Sequence, residues 1–148
     1  MPSKIYGIIT DKKYIVVGTG GKSGRNPKPR SGHHLPGGTV EEGQQPELQL
    51  ITEIKEETGL DVAVHVKDSF KPEGLDNVSF NVITVESVPD LVKERKRPEV
   101  KNQRDEPFEE VSPVLIGEAL VKGYFNAKDM TDWFEIGLQY AFETGRLK

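Results

Sequence analysis

The stretch LPGGTVEEGQQPELQLITEIKEETGL, residues 35–60, concentrates more chemistry than any other part of the chain. It opens on the glycine turn Gly37-Gly38 and closes near a second glycine, Gly59. Between them the spacing predicts a helix. Pro46 suits a first helical turn, where a missing N–H costs nothing, whereas Gln45 before it is a poor cap. Leu48, Leu50, Ile51 and Ile54 fall on one side at roughly 100° per residue. Gly59 is a natural stop, because glycine enters the left-handed conformation at a helix C-terminus without strain. Glu53, Glu56 and Glu57 stand at i, i+3 and i+4 and share a face. We expect that face to lie well away from the apolar one.

Carboxylates at that spacing repel, destabilising a helix by a few tenths of a kcal/mol. One reading is a solvated acidic face, the ordinary fate of a charge run. The other is a hard-cation site. Mg²⁺ takes oxygen ligands, keeps several waters and shares substrate phosphates. The two flanking glycine turns favour the second.

With those turns the stretch resembles the Nudix box, G-x5-E-x7-R-E-U-x-E-E-x-G-U, where U is apolar. Gly38, Glu53, Ile54, Glu56, Glu57, Gly59 and Leu60 match it, and Leu35-Pro36-Gly37 looks like the usual lead-in. Gln44 stands where the family has its first Glu, and Thr52 where it has Arg. The resemblance implies one α+β domain over residues 1–148, a mixed β-sheet sandwiched between α-helices. It implies Mg²⁺ or Mn²⁺ held by Glu53, Glu56 and Glu57, with the backbone at Gly37 and Gly38 close to the metal. The implied reaction is hydrolysis of a nucleoside diphosphate linked to another group, with water attacking phosphorus. Glu53 and Glu57 are the expected catalytic carboxylates of the helix. Family members often draw one more from a late loop, which here means Glu109 or Glu110; Glu110 is the residue taken. Thr52 lacks the guanidinium fork with which the family's Arg orients a carboxylate, so Lys55 or a loop Arg is expected to substitute. The alternative is a catalytically weakened module that binds a nucleotide or a protein partner in a regulatory role.

Before the box, Ile5 to Ile9 and Tyr14 to Val17 read as a strand pair joined by a polar turn. Residues 18–32 form a loop with Gly18, Gly20, Gly21 and Gly24 and the cations Lys22, Arg25, Lys28 and Arg30. Gly21-Lys22-Ser23 is not a P-loop. Val16 occupies the position of that motif's first glycine, and Pro27 and Pro29 oppose the helix that must follow. The loop is either a cationic flap over an anionic substrate, with Lys22 and Arg30 as substrate contacts, or a solvated connection. His33-His34 reads as structural or as a substrate or proton-transfer pair, with His34 the expected contact.

After the box, Val62, Val64 and Val66 alternate with polar or small residues, as do Val78, Phe80 and Val82; both runs read as strands. Pro89 to Pro107 is charged, and Lys93-Glu94-Arg95-Lys96-Arg97 is a solvated loop or short helix whose cations could also meet phosphate. Asp105 to Glu110 is the second acidic cluster. Ser112-Pro113 looks like a cap and first residue of a helix to about Lys122. Asn126 or Asp129 is expected to open a last helix in which Met130, Trp133, Phe134, Gly137, Leu138 and Ala141 form a core stripe, ended by Gly145.

Composition sets the outer bounds. A chain of 148 residues, 34% hydrophobic and 30% charged, can bury a core as one domain. A net charge of −4 makes a nucleic-acid partner an unfavoured expectation. The absence of cysteine removes disulfides and thiolate zinc sites. No apolar run approaches ~18 residues, so no membrane partner is expected. Met1 to Lys4 leads into a strand-like segment without an apolar leader core. A cytoplasmic protein acting on a small nucleoside diphosphate derivative, with a homodimer as a further expectation, completes the reading.

Overall fold

The computed structural model describes residues 3–22, 28–98, 106–128 and 132–148. The strands are β1 (Ser3–Thr10), β2 (Tyr14–Thr19), β3 (His33–His34), β4 (Gly37–Val40), β5 (Ser69–Phe70), β6 (Val78–Thr84) and β7 (Glu110–Leu115). The helices are α1 (Pro46–Thr58), α2 (Val88–Glu94), α3 (Ile116–Ala119) and α4 (Trp133–Glu143). Arg25, Asp105, Asp129 and Met130, all singled out above, lie outside the described residues.

The strands form one mixed sheet. β1 runs parallel to β6 along its whole length, Lys4 opposite Val78 to Thr10 opposite Thr84. On its other edge β1 splits its partners. Thr10 meets Ile15 of β2, while Ser3 to Tyr6 meet Val40 to Gly37 of β4. β2 divides in the same way, with Gly18 and Thr19 opposite His34 and His33 of β3. The chain from His33 to Val40 is thus inserted where β1 and β2 part, which brings the glycine turn into the middle of the sheet.

Both faces of β1, β2 and β6 are covered, which is why these strands read as nearly continuous apolar runs. Tyr6, Ile8, Ile15, Val17, Phe80 and Val82 pack with Phe134, Leu138 and Ala141 of α4. Ile5, Ile9, Val16 and Ile83 face the other way, onto Leu50 and Ile54 of α1 and Val88 of α2. This is the expected sheet between helices. Full burial of Leu50 and Ile54 contributes about 1.5–3 kcal/mol each.

The buried stripe of α1 differs from the expected one. Leu48 is 60% exposed, and the side facing the sheet is Glu47, Leu50, Ile54, Glu57 and Thr58. The carboxylate and apolar faces therefore overlap at Glu57 instead of standing apart. At the other end, Ser69 Oγ donates to Glu47 Oε2 at 2.7 Å, and Asn81 Nδ2 donates to Ser69 Oγ at 2.9 Å. These bonds let α1 bury a carboxylate at each end of its apolar contact.

Three further expectations fail for physical reasons. Residues 62–64 alternate in exposure but pair with no described strand; Val62 and Val64 pack on the α1-side core from an irregular segment, while Val66 is exposed and starts a 3₁₀ turn, Val66–Asp68. Ser112-Pro113 does not begin a helix. It lies inside β7, with Pro113 opposite Val16 of β2. Proline is tolerated there because β7 is an edge strand, with β2 its only described partner. The last helix opens at Trp133 after Asp132, which has φ 65°, and not at Asn126. Its core residues Phe134, Gly137, Leu138 and Ala141 are those expected.

Asp11 ties the first turn to α2. Its Oδ1 accepts from the backbone N–H groups of Lys13 and Tyr14, and its Oδ2 from that of Val88 at 2.8 Å. Burial raises the Asp11 pKa, but the backbone donors together outweigh it and hold the carboxyl below its usual value. The ionised form is thus preferred in the folded state. Its contribution is complete above the unfolded pKa of about 3.9 and fades as pH falls through the lower folded value. Asp11→Asn is expected to lower stability at pH 7 by about 1 kcal/mol. Urea titrations should show the gap to wild type closing below about pH 4; a gap independent of pH would contradict this assignment.

Candidate active site at the α1 carboxylates

The site is built where α1 crosses the inserted β3–β4 segment. Gly37 has φ 147°, and a side chain there would run into the Ile5 carbonyl oxygen, so only glycine fits. The Gly37 N–H donates to Glu57 Oε1 at 2.7 Å. A Cβ on Gly38 would sit 3.3 Å from Glu53 Oε2, so the second glycine leaves room beside that carboxylate. At the helix end Gly59 takes φ 78°, with the Lys96 carbonyl packed where a side chain would be. The glycines of the motif thus fix the strand and the 94–98 segment against the acidic helix.

Glu57 is 5% exposed. Its Oε2 lies 3.3 Å from Arg30 Nη2, an ion pair buried on both sides. Arg30 also donates to the Gly20 carbonyl at 3.0 Å and lies over the Phe108 ring at 4.8 Å. Phe108 in turn donates its N–H to the Glu57 carbonyl at 3.0 Å. A loop arginine therefore presents a guanidinium to a helix carboxylate in a chain whose helix has threonine at position 52. Lys55, the other cation considered, is exposed and pairs with Asp61 at 3.2 Å. Thr52 and Gln44 are both exposed.

Glu53 and Glu56 are half-buried on the same helix, and Gln49 Nε2 approaches Glu53 Oε1 at 3.4 Å. Among the described residues, no three acidic or imidazole side chains converge as a ready-made metal cage. The donors still fit Mg²⁺ or Mn²⁺ by kind. Such ions are commonly held by one or two carboxylates, with water and substrate oxygens completing the shell. Glu53 and Glu56 would supply those carboxylates.

Other expected site residues lie elsewhere. Arg30 is turned inward to Glu57. His34 is 5% exposed, with Nε2 2.8 Å from the Ser31 carbonyl and its ring edge-on to Phe134. His33 stacks on Tyr124 at 4.5 Å, with Nδ1 3.0 Å from the Tyr124 carbonyl. Lys22 is exposed, its backbone bonded to Glu106. Glu110 alternates with Val111, which packs in the α1-side core, so Glu110 projects from the other face of the sheet. Glu109 comes just before that strand, packs its carboxylate over Gly20 and donates its N–H to the Thr19 carbonyl. From the sequence, Lys55 or a loop arginine is expected to replace the guanidinium missing at Thr52, without a choice between them, and Arg30 is expected as a substrate contact; the inward course of Arg30 to Glu57 is not foreseen.

Residues 5–134 match the family model of the NUDIX domain. This chain belongs to the Nudix family. Solved Nudix-type structures superpose over nearly its whole length. The MutT protein from Methanosarcina mazei Go1 is 16% identical, with a TM-score of 0.60 over 98% of this chain and 95% of its own. An Ap4A hydrolase from C. elegans, solved as a binary complex, is 16% identical, with a TM-score of 0.55 over 97% and 99%. A UDP-X diphosphatase is 15% identical, with a TM-score of 0.56; this Nudix chain is covered over 98% but spans only 64% of that protein. At such identities the likeness shows the fold. No curated protein sequence matches the chain significantly.

Proposed function

We propose that this Nudix domain is a pyrophosphohydrolase that cleaves the diphosphate of a nucleoside diphosphate derivative with Mg²⁺ or Mn²⁺. The carrying observation is the acidic face of α1 set against the Gly37-Gly38 turn, with Glu57 pinned by Arg30 and the Gly37 N–H. Family membership supports the enzyme class. The names of two relatives, an Ap4A hydrolase and a UDP-X diphosphatase, support a nucleotide-linked diphosphate as the substrate class.

In this reading Glu53 and Glu56 hold the cation, and Glu57 is the fixed third carboxylate of the same face. The bound metal supplies charge neutralisation between carboxylates and phosphate and lowers the pKa of attacking water. Without it the acidic face would repel the substrate. The chain's own task is orientation. Arg30 and Gly37 keep Glu57 in one rotamer, and Gly38 keeps the space beside Glu53 open. Glu109, on the loop next to Gly20, is better placed than Glu110 to take a proton from water. A cytoplasmic location stays part of the proposal, consistent with the lack, among the described residues, of a helix long and apolar enough to cross a membrane.

The test is a panel of nucleoside diphosphate derivatives and nucleoside triphosphates incubated with Mg²⁺ or Mn²⁺ and scored by product identity. Cleavage between the phosphates of at least one compound, abolished by chelation, is expected. Ligand-induced stabilisation without any turnover would favour the regulatory module instead.

A further inference from the structure

The glycines in and just after β2 are explained by what lies on them. A Cβ on Gly18 would run into the Phe108 ring, and one on Gly21 into the Pro107 carbonyl oxygen. A Cβ on Gly20 would stand 2.8 Å from Glu109 Oε2 and 2.9 Å from Glu109 Cβ, and Gly20 also has φ 76°. Residues 107–109 of the late acidic loop therefore rest directly on Gly18, Gly20 and Gly21. Backbone bonds hold them there. The Glu109 N–H donates to the Thr19 carbonyl at 2.8 Å, and the Glu106 N–H to the Lys22 carbonyl at 2.8 Å. From the other side Arg97 Nη2 donates to the Glu109 carbonyl at 3.2 Å. Arg30 joins this contact to the acidic helix. Its Nη1 donates to the Gly20 carbonyl at 3.0 Å, while its Nη2 pairs with Glu57 Oε2 at 3.3 Å. One guanidinium thus stands between the buried carboxylate of α1 and the residue against which the Glu109 carboxylate is packed. Glu109 itself is exposed, so its side chain meets solvent from a fixed backbone.

We propose that Gly18, Gly20 and Gly21 are a seat for residues 107–109, and that Gly20 is a positioning residue that sets where the Glu109 carboxylate stands beside the acidic helix. The inference deepens the hydrolase reading and rests on it for the role of Glu109 as proton acceptor. In that role Glu109 takes the proton of the water whose oxygen bonds to phosphorus. The bridging P–O bond breaks, and its electron pair leaves with the departing phosphate. A base works only within hydrogen-bond reach of that water, and a displacement of about 1 Å costs roughly a hundredfold in rate. A side chain on Gly20 cannot be accommodated by turning the carboxylate aside, because the Glu109 Cβ is also in the way. The glycine run is accounted for by this close approach, without a phosphate-binding turn.

Two readouts separate the seat from the chemistry. Amide hydrogen exchange in the metal-free wild type should show the Phe108 and Glu109 N–H groups protected by their bonds to the Glu57 and Thr19 carbonyls. Gly20→Ala is expected to speed their exchange at least about tenfold. Gly74→Ala is the control. Gly74 has φ 88° and nothing within 4 Å of an added Cβ, so it carries the backbone strain without the collision and should leave both groups as in wild type. No protection in the wild type, or equal protection in Gly20→Ala, would overturn the seat without reference to any substrate. With a substrate from the panel, Gly20→Ala is expected to lower kcat about a hundredfold with KM unchanged. The Gly20→Ala, Glu109→Gln double variant is expected to be no slower than Glu109→Gln alone. Losses that multiply in the double variant would show that Gly20 does not act through Glu109 and would overturn the positioning role; full activity in Glu109→Gln would do the same. Should no compound be cleaved, the hydrolase reading fails, and the exchange measurement still decides the seat.

Discussion

Exchanging Arg30 for methionine is expected to cost about 3–5 kcal/mol of stability. Arg30 and Glu57 have side chains only 4% and 6% exposed, so water cannot replace the lost partner. The methionine keeps much of the packing on Phe108 but leaves a carboxylate buried with the Gly37 N–H as its described remaining donor. Glu57→Gln strands the guanidinium instead, and is expected to be destabilising as well. Relief of carboxylate repulsion along α1, a few tenths of a kcal/mol, does not offset that loss, because the guanidinium left behind is buried. Changing both residues together should cost less than the sum of the single changes, with a coupling of roughly 1–3 kcal/mol. Urea titrations without metal give these numbers from the midpoint at constant slope. A single Arg30→Met variant within about 0.5 kcal/mol of wild type would show that the pair is not a structural bond.

The pair also bears on what was legible before the structure. The motif glycines and carboxylates could be read directly, because each is required by a local constraint: φ at Gly37 and Gly59, helix spacing at Glu53, Glu56 and Glu57. The core stripe of α4 and the double-sided burial of β1, β2 and β6 were legible for the same reason, as periodicity. Arg30 was not. Its partner lies 27 positions away in sequence and meets it only because the His33 to Val40 segment is inserted between β1 and β2. Pro113 was misread because Ser-Pro is a strong helix-start signal, while its tolerance in a strand depends on β7 being at an edge. Val62 to Val66 shows the remaining gap. Alternation records which side chains face the core, not whether a neighbouring backbone is there to pair with.

The second large effect concerns activity. Glu53→Gln with Glu56→Gln keeps shape and removes two negative charges from a half-buried face. Stability is expected to change little, because carboxylates at this helical spacing repel one another and the amides keep the same shape. Metal-dependent hydrolysis is expected to fall at least about a hundredfold, since the change removes the proposed ligands themselves and supporting residues alone cost 10–100-fold. The dissociation between these readouts is the informative part. A fall in activity accompanied by unfolding would point to a scaffold role, and unchanged turnover would move the chemistry away from α1.

Both effects belong to one helix with two kinds of carboxylate. Glu57 is held inward by a buried cation, Glu53 lies beside the Gly38 turn, and Glu56 lines the cleft under the 94–98 segment. The most direct measurement is Mn²⁺ binding to the folded protein, followed by the loss of the free-ion electron paramagnetic resonance signal. Saturable binding in wild type that is lost in the Glu53→Gln, Glu56→Gln variant, both chains showing the same melting temperature, is the predicted result. Equal Mn²⁺ binding by the two folded proteins would contradict the account.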